Sequence, residues 1–304
     1  MKLALGTAQF GMPYGITNQT GQLSEVQAAD VLSLAYAQGV SVLDTAMAYG
    51  DAESRLGHSG IQNFQVVTKL SQVPLVLPAA ITDAGAWAKV QFAASLKRLG
   101  LSCVYGLLLH RPGDLLGEHG KALLRALQEL QDQGLVEKLG VSVYSPTELE
   151  PLLKLAQWDL VQAPLNLIDR RLQTSGWLQR LKDSGVEVHT RSAFLQGLLL
   201  THSSALPPQF SDWLDLWRVW DQWQLTTGCS ALGASLAYPL SLPEVDRVVV
   251  GVEGSEQLLG ILAALRAPVP QGWPHIASDD GKLINPSQWV GPLESNSSQI
   301  GLLT

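Results

Sequence analysis

Cysteine is nearly absent: the 304 residues hold two, Cys103 and Cys229. Two cysteines cannot build a disulfide framework, and neither belongs to a Cys-x-x-Cys pair or a His/Cys cluster with metal spacing. The expectation is a reducing, cytoplasmic setting and no metal centre. Charge is also sparse, at 15% of residues, and the formal net charge is -7. Without a basic run, the chain lacks the clustered cations that displace counterions from phosphates, so no nucleic-acid partner is expected. No apolar run approaches the roughly 18 residues of a spanning helix. The opening "MKLALGTAQFG" is interrupted at Gln9 before it reaches the length of a signal h-region, so no membrane association is expected. Hydrophobic residues, by contrast, make up 46%, which is enough for a large core and too much for disorder.

Short apolar runs alternate with amphipathic stretches along the chain, and this alternation sets the fold class. Strands are expected at residues 3–6, 40–44, 64–69, 104–110, 136–142, 159–166, 186–192 and 247–251. Between them, helices are expected at 24–39, near 85–100, near 117–133, at 145–157 with Pro146 in the first turn, over 170–185 and at 255–266. Eight strands separated by helices point to an α/β fold, the closed (β/α)8 TIM barrel, built as a single domain over residues 1–304. An open doubly wound sheet would carry a Gly-x-Gly-x-x-Gly fingerprint after its first strand, and "GTAQFGMPYG" does not match it. A long irregular insertion is expected at about 197–228 and a C-terminal tail at about 270–304. The insertion places Trp213, Trp217, Trp220 and Trp223 at helical spacing, with Asp212, Asp215 and Asp221 expected on the opposite face. Those aromatics could lie on the barrel wall or form a wall over a substrate.

In such barrels, functional groups project from the C-terminal ends of the strands. Asp44 ends the second apolar run, Tyr49 follows it in the loop, Lys69 ends the third and His110 ends the fourth. Taken singly, these could be a helix cap, a packed aromatic, a solvated rim charge and a satisfied core histidine. Consecutive strands are neighbours, so the four side chains can converge. A buried Lys69 ammonium needs the Asp44 carboxylate, and the same ammonium is expected to lower the Tyr49 phenol toward the working range. His110 could then orient a carbonyl oxygen, giving a general acid beside an electrophilic clamp.

These residues resemble the aldo-keto reductases, of a bacterial type. "DTAMAYGDAESRLG" matches the family signature at Asp44, Tyr49, Glu53, Leu56 and Gly57; "VVTKL" and "LLLHRP" match its lysine and histidine strands. The match runs from "LALGTAQFGMPYGITN" to about residue 290. The resemblance implies reduction of an aldehyde or ketone by a nicotinamide cofactor, with Tyr49 as general acid, Lys69 and Asp44 as its tuning pair and His110 as carbonyl orienter. It also implies cofactor contacts from Gly6, Thr7, Ser142, Gln162, Ser192, Phe194, Gln196, Gly251, Ser255 and Gln257. Arg191 stands where many relatives stack a tyrosine on the nicotinamide, and Val143 replaces a common asparagine. Family habit favours NADP(H). The stretch "VVVGVEGSEQLLG" offers Glu253 where relatives pair a cation with the 2′-phosphate, which leaves NAD(H) open. The implied partner is a small-molecule carbonyl substrate, and a rim with Tyr14, Arg111 and the Trp helix would suit a sugar-like one among others. A barrel retained as a binding or regulatory protein is the alternative. Oligomeric state is not legible.

Overall fold

The computed structural model describes residues 1–289; residues 290–304, the end of the expected tail, lie outside the described residues. Eight strands follow the apolar runs: β1 Leu3–Gly6, β2 Val42–Asp44, β3 Gln65–Leu70, β4 Val104–Leu109, β5 Val136–Ser142, β6 Leu160–Pro164, β7 Glu187–Arg191 and β8 Arg247–Gly251. They close in chain order, each parallel to the next, and β1 pairs with β8. The expected barrel is therefore the observed one. Strands buried on both faces explain why they read as continuous apolar runs.

Two apolar layers hold the barrel. Inside, Ala4, Val42, Val67, Leu108, Leu160 and Val249 pack together. Outside, a larger cluster fills the space between sheet and helices and includes Phe10, Leu43, Leu56, Phe92, Leu127 and Val161. Local signals set the helix ends. Ser24 and Gln27 form a capping box at the start of Glu25–Ala37, and Asp83 caps Ala84–Leu99, which ends at left-handed Gly100.

The structure departs from expectation in three places. The helix expected over 145–157 begins as a 3-10 turn, Pro146–Glu148, and is α-helical only over Leu149–Leu155. The helix expected over 170–185 is split into Arg171–Thr174 and Trp177–Asp183 by Gly176 in the left-handed region. Asp221, expected on the solvent face of the Trp helix, is buried. Its carboxylate accepts from the Ser203 backbone N–H (3.0 Å) and lies 3.3 Å from His202 Nε2.

Three 3-10 turns and the helix Leu214–Thr227 occupy the long insertion. Trp217 and Trp220 are fully buried, Trp220 donates to Leu199 O (3.1 Å) and stacks on Trp223. The aromatics thus serve as a packing face. No helix among the described residues is long and apolar enough to cross a membrane.

Candidate active site

Strand register brings the polar strand ends to one rim. Gly6 lies beside Asp44 on one side and Gly251 on the other, Ser142 beside Gln162, and Pro164 beside Arg191. At the centre, Lys69 Nζ donates to Asp44 Oδ1 (2.6 Å) and to Thr45 O (2.9 Å). Gln162 Nε2 donates to Asp44 Oδ2 (2.7 Å). Both carboxylate oxygens are thereby committed. With Lys69 1% and Asp44 4% exposed, this is a buried ion pair whose extra hydrogen bonds offset the cost of desolvating it.

Tyr49 stands beside that pair. Lys69 Nζ is 5.2 Å from the centre of its ring, and His110 meets the ring edge-on with centroids 5.8 Å apart. Among the described residues neither the Tyr49 hydroxyl nor the His110 ring makes a side-chain hydrogen bond. The expectation that Lys69 lowers the phenol is overturned: burial and the Asp44 carboxylate push Tyr49 up, with Tyr144 adding to this and Arg191 opposing it. Lys69 is committed to Asp44 and Thr45 O, and burial beside the Asp44 carboxylate keeps the proton on the phenol. His110 moves the other way. Burial, then Lys69, Arg191 and Arg111, push its imidazole down to about 3, so the ring is neutral at ordinary pH.

The loop bearing Tyr49 is fixed from two sides. A Cβ on Gly11 would fall 1.7 Å from Tyr49 O, so the segment after β1 packs directly on the tyrosine backbone only because residue 11 is glycine. On the other side, helix Ala52–Ser59 is anchored by the buried Glu53. Its Oε1 accepts from Thr68 Oγ1 (2.7 Å) and Ser95 Oγ (2.6 Å), and its Oε2 accepts from Arg98 Nε and Nη2 (2.8 and 2.6 Å). Thr68 precedes Lys69, so Glu53 ties the tyrosine loop to the lysine strand.

A cavity of about 330 Å³ opens beside Asp44 and Tyr49 and runs to the helix Ser255–Ala264. Of the residues expected at a cofactor, Gly6, Thr7, Gln162, Arg191, Ser192, Phe194, Gln196, Gly251 and Gln257 line it. Ser142 and Ser255 do not. Ser142 is buried at the end of β5, and Ser255 is the first residue of the helix Ser255–Ala264. Lys69 and His110 are not among the cavity's lining residues either, and His110 reaches its edge through its contact with the Tyr49 ring. Gln9, Gly15, Thr17, Leu232, Gly260 and Ile261 line the cavity without having been singled out. The first three fall in the quoted stretch "GTAQFGMPYGIT"; Leu232 has no local signal, because only the fold brings its helix to this mouth.

The loop after β7 holds three non-glycine residues in the left-handed region, Ser192, Leu195 and Gln196 (φ 63°, 47° and 53°). Each costs on the order of 1 kcal/mol, and such strain gathers at functional loops. Asn166 Nδ2 clamps this loop by donating to Ser192 O (3.0 Å).

The family model described as "Aldo/keto reductase family" matches residues 2–272. The chain belongs to the aldo/keto reductase family. This aldo/keto reductase is 27% identical over 178 residues to "Uncharacterized oxidoreductase YtbE" of Bacillus subtilis, covering 57% of this chain and 61% of that protein. It is 26% identical over 213 residues to "Aldo-keto reductase YhdN" of the same organism, covering 65% and 60%. The matches thus span about 60% of the length of these curated relatives. Among solved structures, the holo form of aldo-keto reductase AKR11C1 from Bacillus halodurans superposes with a TM-score of 0.70 at 21% identity, over 88% of each chain. That likeness shows the fold.

Proposed function

We propose that this aldo/keto reductase reduces an aldehyde or ketone to an alcohol with NADPH or NADH, Tyr49 acting as the general acid. The observation that carries the reading is the asymmetry around Asp44. Its charge is spent on Lys69 and Gln162, while the Tyr49 hydroxyl next to it is protonated, uncommitted and at the cavity wall.

The residues present fit a dinucleotide. Gly6 and Gly251 leave a floor without side chains, and a Cβ at Gly251 would fall 2.5 Å from Gln9 Oε1. Thr7, Gln162, Ser192, Phe194, Gln196 and Gln257 would hold the cofactor along the cavity, with Arg191 near the nicotinamide end. When bound, the cofactor supplies a hydride to the carbonyl carbon. The protein's part is to meet the charge that then develops on oxygen. Tyr49 donates its proton there, and the neutral His110 ring donates a hydrogen bond that holds the carbonyl in place. The Lys69 and Asp44 pair fixes the phenol's position and field. A group placed where charge develops favours the transition state over the ground state.

Family habit favours NADPH. Against it, the β8 loop presents Glu253, which accepts from Thr20 Oγ1 (3.2 Å), and a carboxylate repels a 2′-phosphate. A fluorescence titration that uses the nine tryptophans tests the reading: NADPH or NADH should quench emission with micromolar affinity, and the absence of binding by both would overturn it.

A further inference from the structure

The two ends of the cavity differ in charge. The charged residues lining it are Asp44, Arg191 and Glu253. Asp44 is paired with Lys69, and Arg191 stands toward the nicotinamide end. The other end, where the helix Ser255–Ala264 begins, is left to the Glu253 carboxylate. No lysine or arginine falls between Glu253 and Ala264, and the first turn of that helix adds a second acid, Glu256. Glu253 is also held in place. Asn18 Oδ1 accepts from the backbone N–H groups of Thr20 (2.9 Å) and Gly21 (2.8 Å), and Asn18 Nδ2 donates to Tyr14 O (3.0 Å) and Gly21 O (3.1 Å). The loop so braced brings Thr20 Oγ1 to Glu253 Oε2, to which it donates at 3.2 Å, while among the described residues Glu253 Oε1 accepts no hydrogen bond. The Glu253 backbone N–H, otherwise open to an anion at the helix start, donates to Gln257 Oε1 (2.9 Å).

We infer, resting on the reductase reading, that the cofactor is NADH, selected by Glu253, whose carboxylate accepts a hydrogen bond from the 2′-hydroxyl of the adenosine ribose. The two nicotinamide cofactors differ only at that position. A hydroxyl donates, and an ionised carboxylate with an oxygen to spare is the acceptor it needs. A 2′-phosphate carries a charge of about -1.5 to -2 at neutral pH. It offers acceptors alone, so it has no hydrogen bond to make with Glu253 and is repelled by it. Its natural counterpart is a cation, and the cavity presents none at this end, where the Glu253 amide is engaged as well. In doubly wound dinucleotide folds an acidic residue reads the ribose 2′-hydroxyl by the same acceptor logic, which does not depend on the fold. Thr20 and Asn18 act as positioning residues, since they aim the carboxylate from the loop after β1. The family habit of NADPH gives way here to NADH.

The test is binding without turnover: tryptophan fluorescence of the full chain is titrated with NADH, NADPH and 2′-deoxy-NADH, with no carbonyl present. NADH should bind at least about tenfold more tightly than NADPH, and the ratio should shrink as salt is added. On the same wild-type protein, 2′-deoxy-NADH should bind at least about threefold more weakly than NADH, because a hydrogen bond to a charged acceptor is lost. Glu253→Gln keeps an acceptor and removes the charge, so it should hold NADH within about threefold and bring the ratio of the two affinities toward one. Glu253→Lys should invert that ratio. NADPH bound as tightly as NADH by the wild type, 2′-deoxy-NADH bound as tightly as NADH, or a ratio that Glu253→Gln leaves unchanged would each overturn the inference and leave the reductase reading standing. Binding of neither NADH nor NADPH would overturn the reductase reading and this inference with it.

Discussion

The two ends of the barrel are built from the same four kinds of side chain and do different things with them. At the C-terminal rim stand Asp44, Tyr49, Lys69 and His110. At the N-terminal end stand Glu187, Tyr105, Lys138 and His189. There every group is aimed at the carboxylate: Tyr105 Oη donates to Glu187 Oε2 (2.6 Å), Lys138 Nζ pairs with the same oxygen, and His189 Nε2 lies 2.7 Å from Oε1. Burial pushes Glu187 up, but the hydrogen bonds from His189, Lys138 and Tyr105 outweigh it and hold the carboxyl well below its usual range. At the rim, lysine and a glutamine satisfy the carboxylate instead, and among the described residues the tyrosine hydroxyl and the histidine ring make no side-chain hydrogen bond. Reactivity here comes from which groups remain unsatisfied, while the set with every group turned on its carboxylate is a clasp.

The largest effect should come from breaking the rim pair. Lys69→Met leaves Asp44 buried and uncompensated, so turnover should fall by about 10³ and stability by about 3–5 kcal/mol, read from steady-state rates and urea denaturation. Glu187→Gln at the other end should cost about 3 kcal/mol in the same denaturation experiment. Its kcat/KM per folded molecule should stay unchanged, because no group of that cluster lines the cavity. A large loss of kcat/KM there would abolish the distinction between the ends.

Glu53→Gln should be milder. Replacing charged hydrogen bonds from Thr68, Ser95 and Arg98 by neutral ones is expected to cost about 1.5–3 kcal/mol and to lower kcat more than it raises KM, since it loosens the Tyr49 loop rather than the cavity.

Acid should separate the ends by pH. His110 is pushed down to about 3 in the folded protein, so the unfolded chain takes up its proton first, and stability falls as pH drops below about 6.5. Glu187 is held low, so its contribution is full above about 4.3 and is lost as pH falls below that. The slope from one group is at most about 1.4 kcal/mol per pH unit. Melting temperature against pH should lose its upper step in His110→Asn and its lower step in Glu187→Gln.

Much of this was legible in the sequence for a physical reason. Strands covered on both faces must be apolar, so Asp44, Lys69 and His110 stood out as polar residues ending such runs, and their order gave their adjacency. Other features depend on contacts that the sequence does not order. Lys69 was expected to act on Tyr49, but Asp44 takes its charge. Ser142 and Ser255 were placed at the cavity by position along the chain, while the direction of a side chain follows from the closed barrel. Asp221 read as a surface charge because its partner, the Ser203 backbone, lies in an irregular turn. The lower cluster was invisible, since Tyr105, Lys138, Glu187 and His189 come from three separate strands and meet only on closure.

Single-turnover mixing bears most directly on the central claim, that an uncommitted, protonated Tyr49 is the acid. Protein loaded with NADPH or NADH is mixed with a carbonyl that the wild type reduces, and the loss of nicotinamide absorbance is followed in wild type and in Tyr49→Phe. The account predicts that the variant binds cofactor within about threefold of wild type while hydride loss slows by about 10²–10⁴. A Tyr49→Phe protein that consumes the cofactor at the wild-type rate would contradict it.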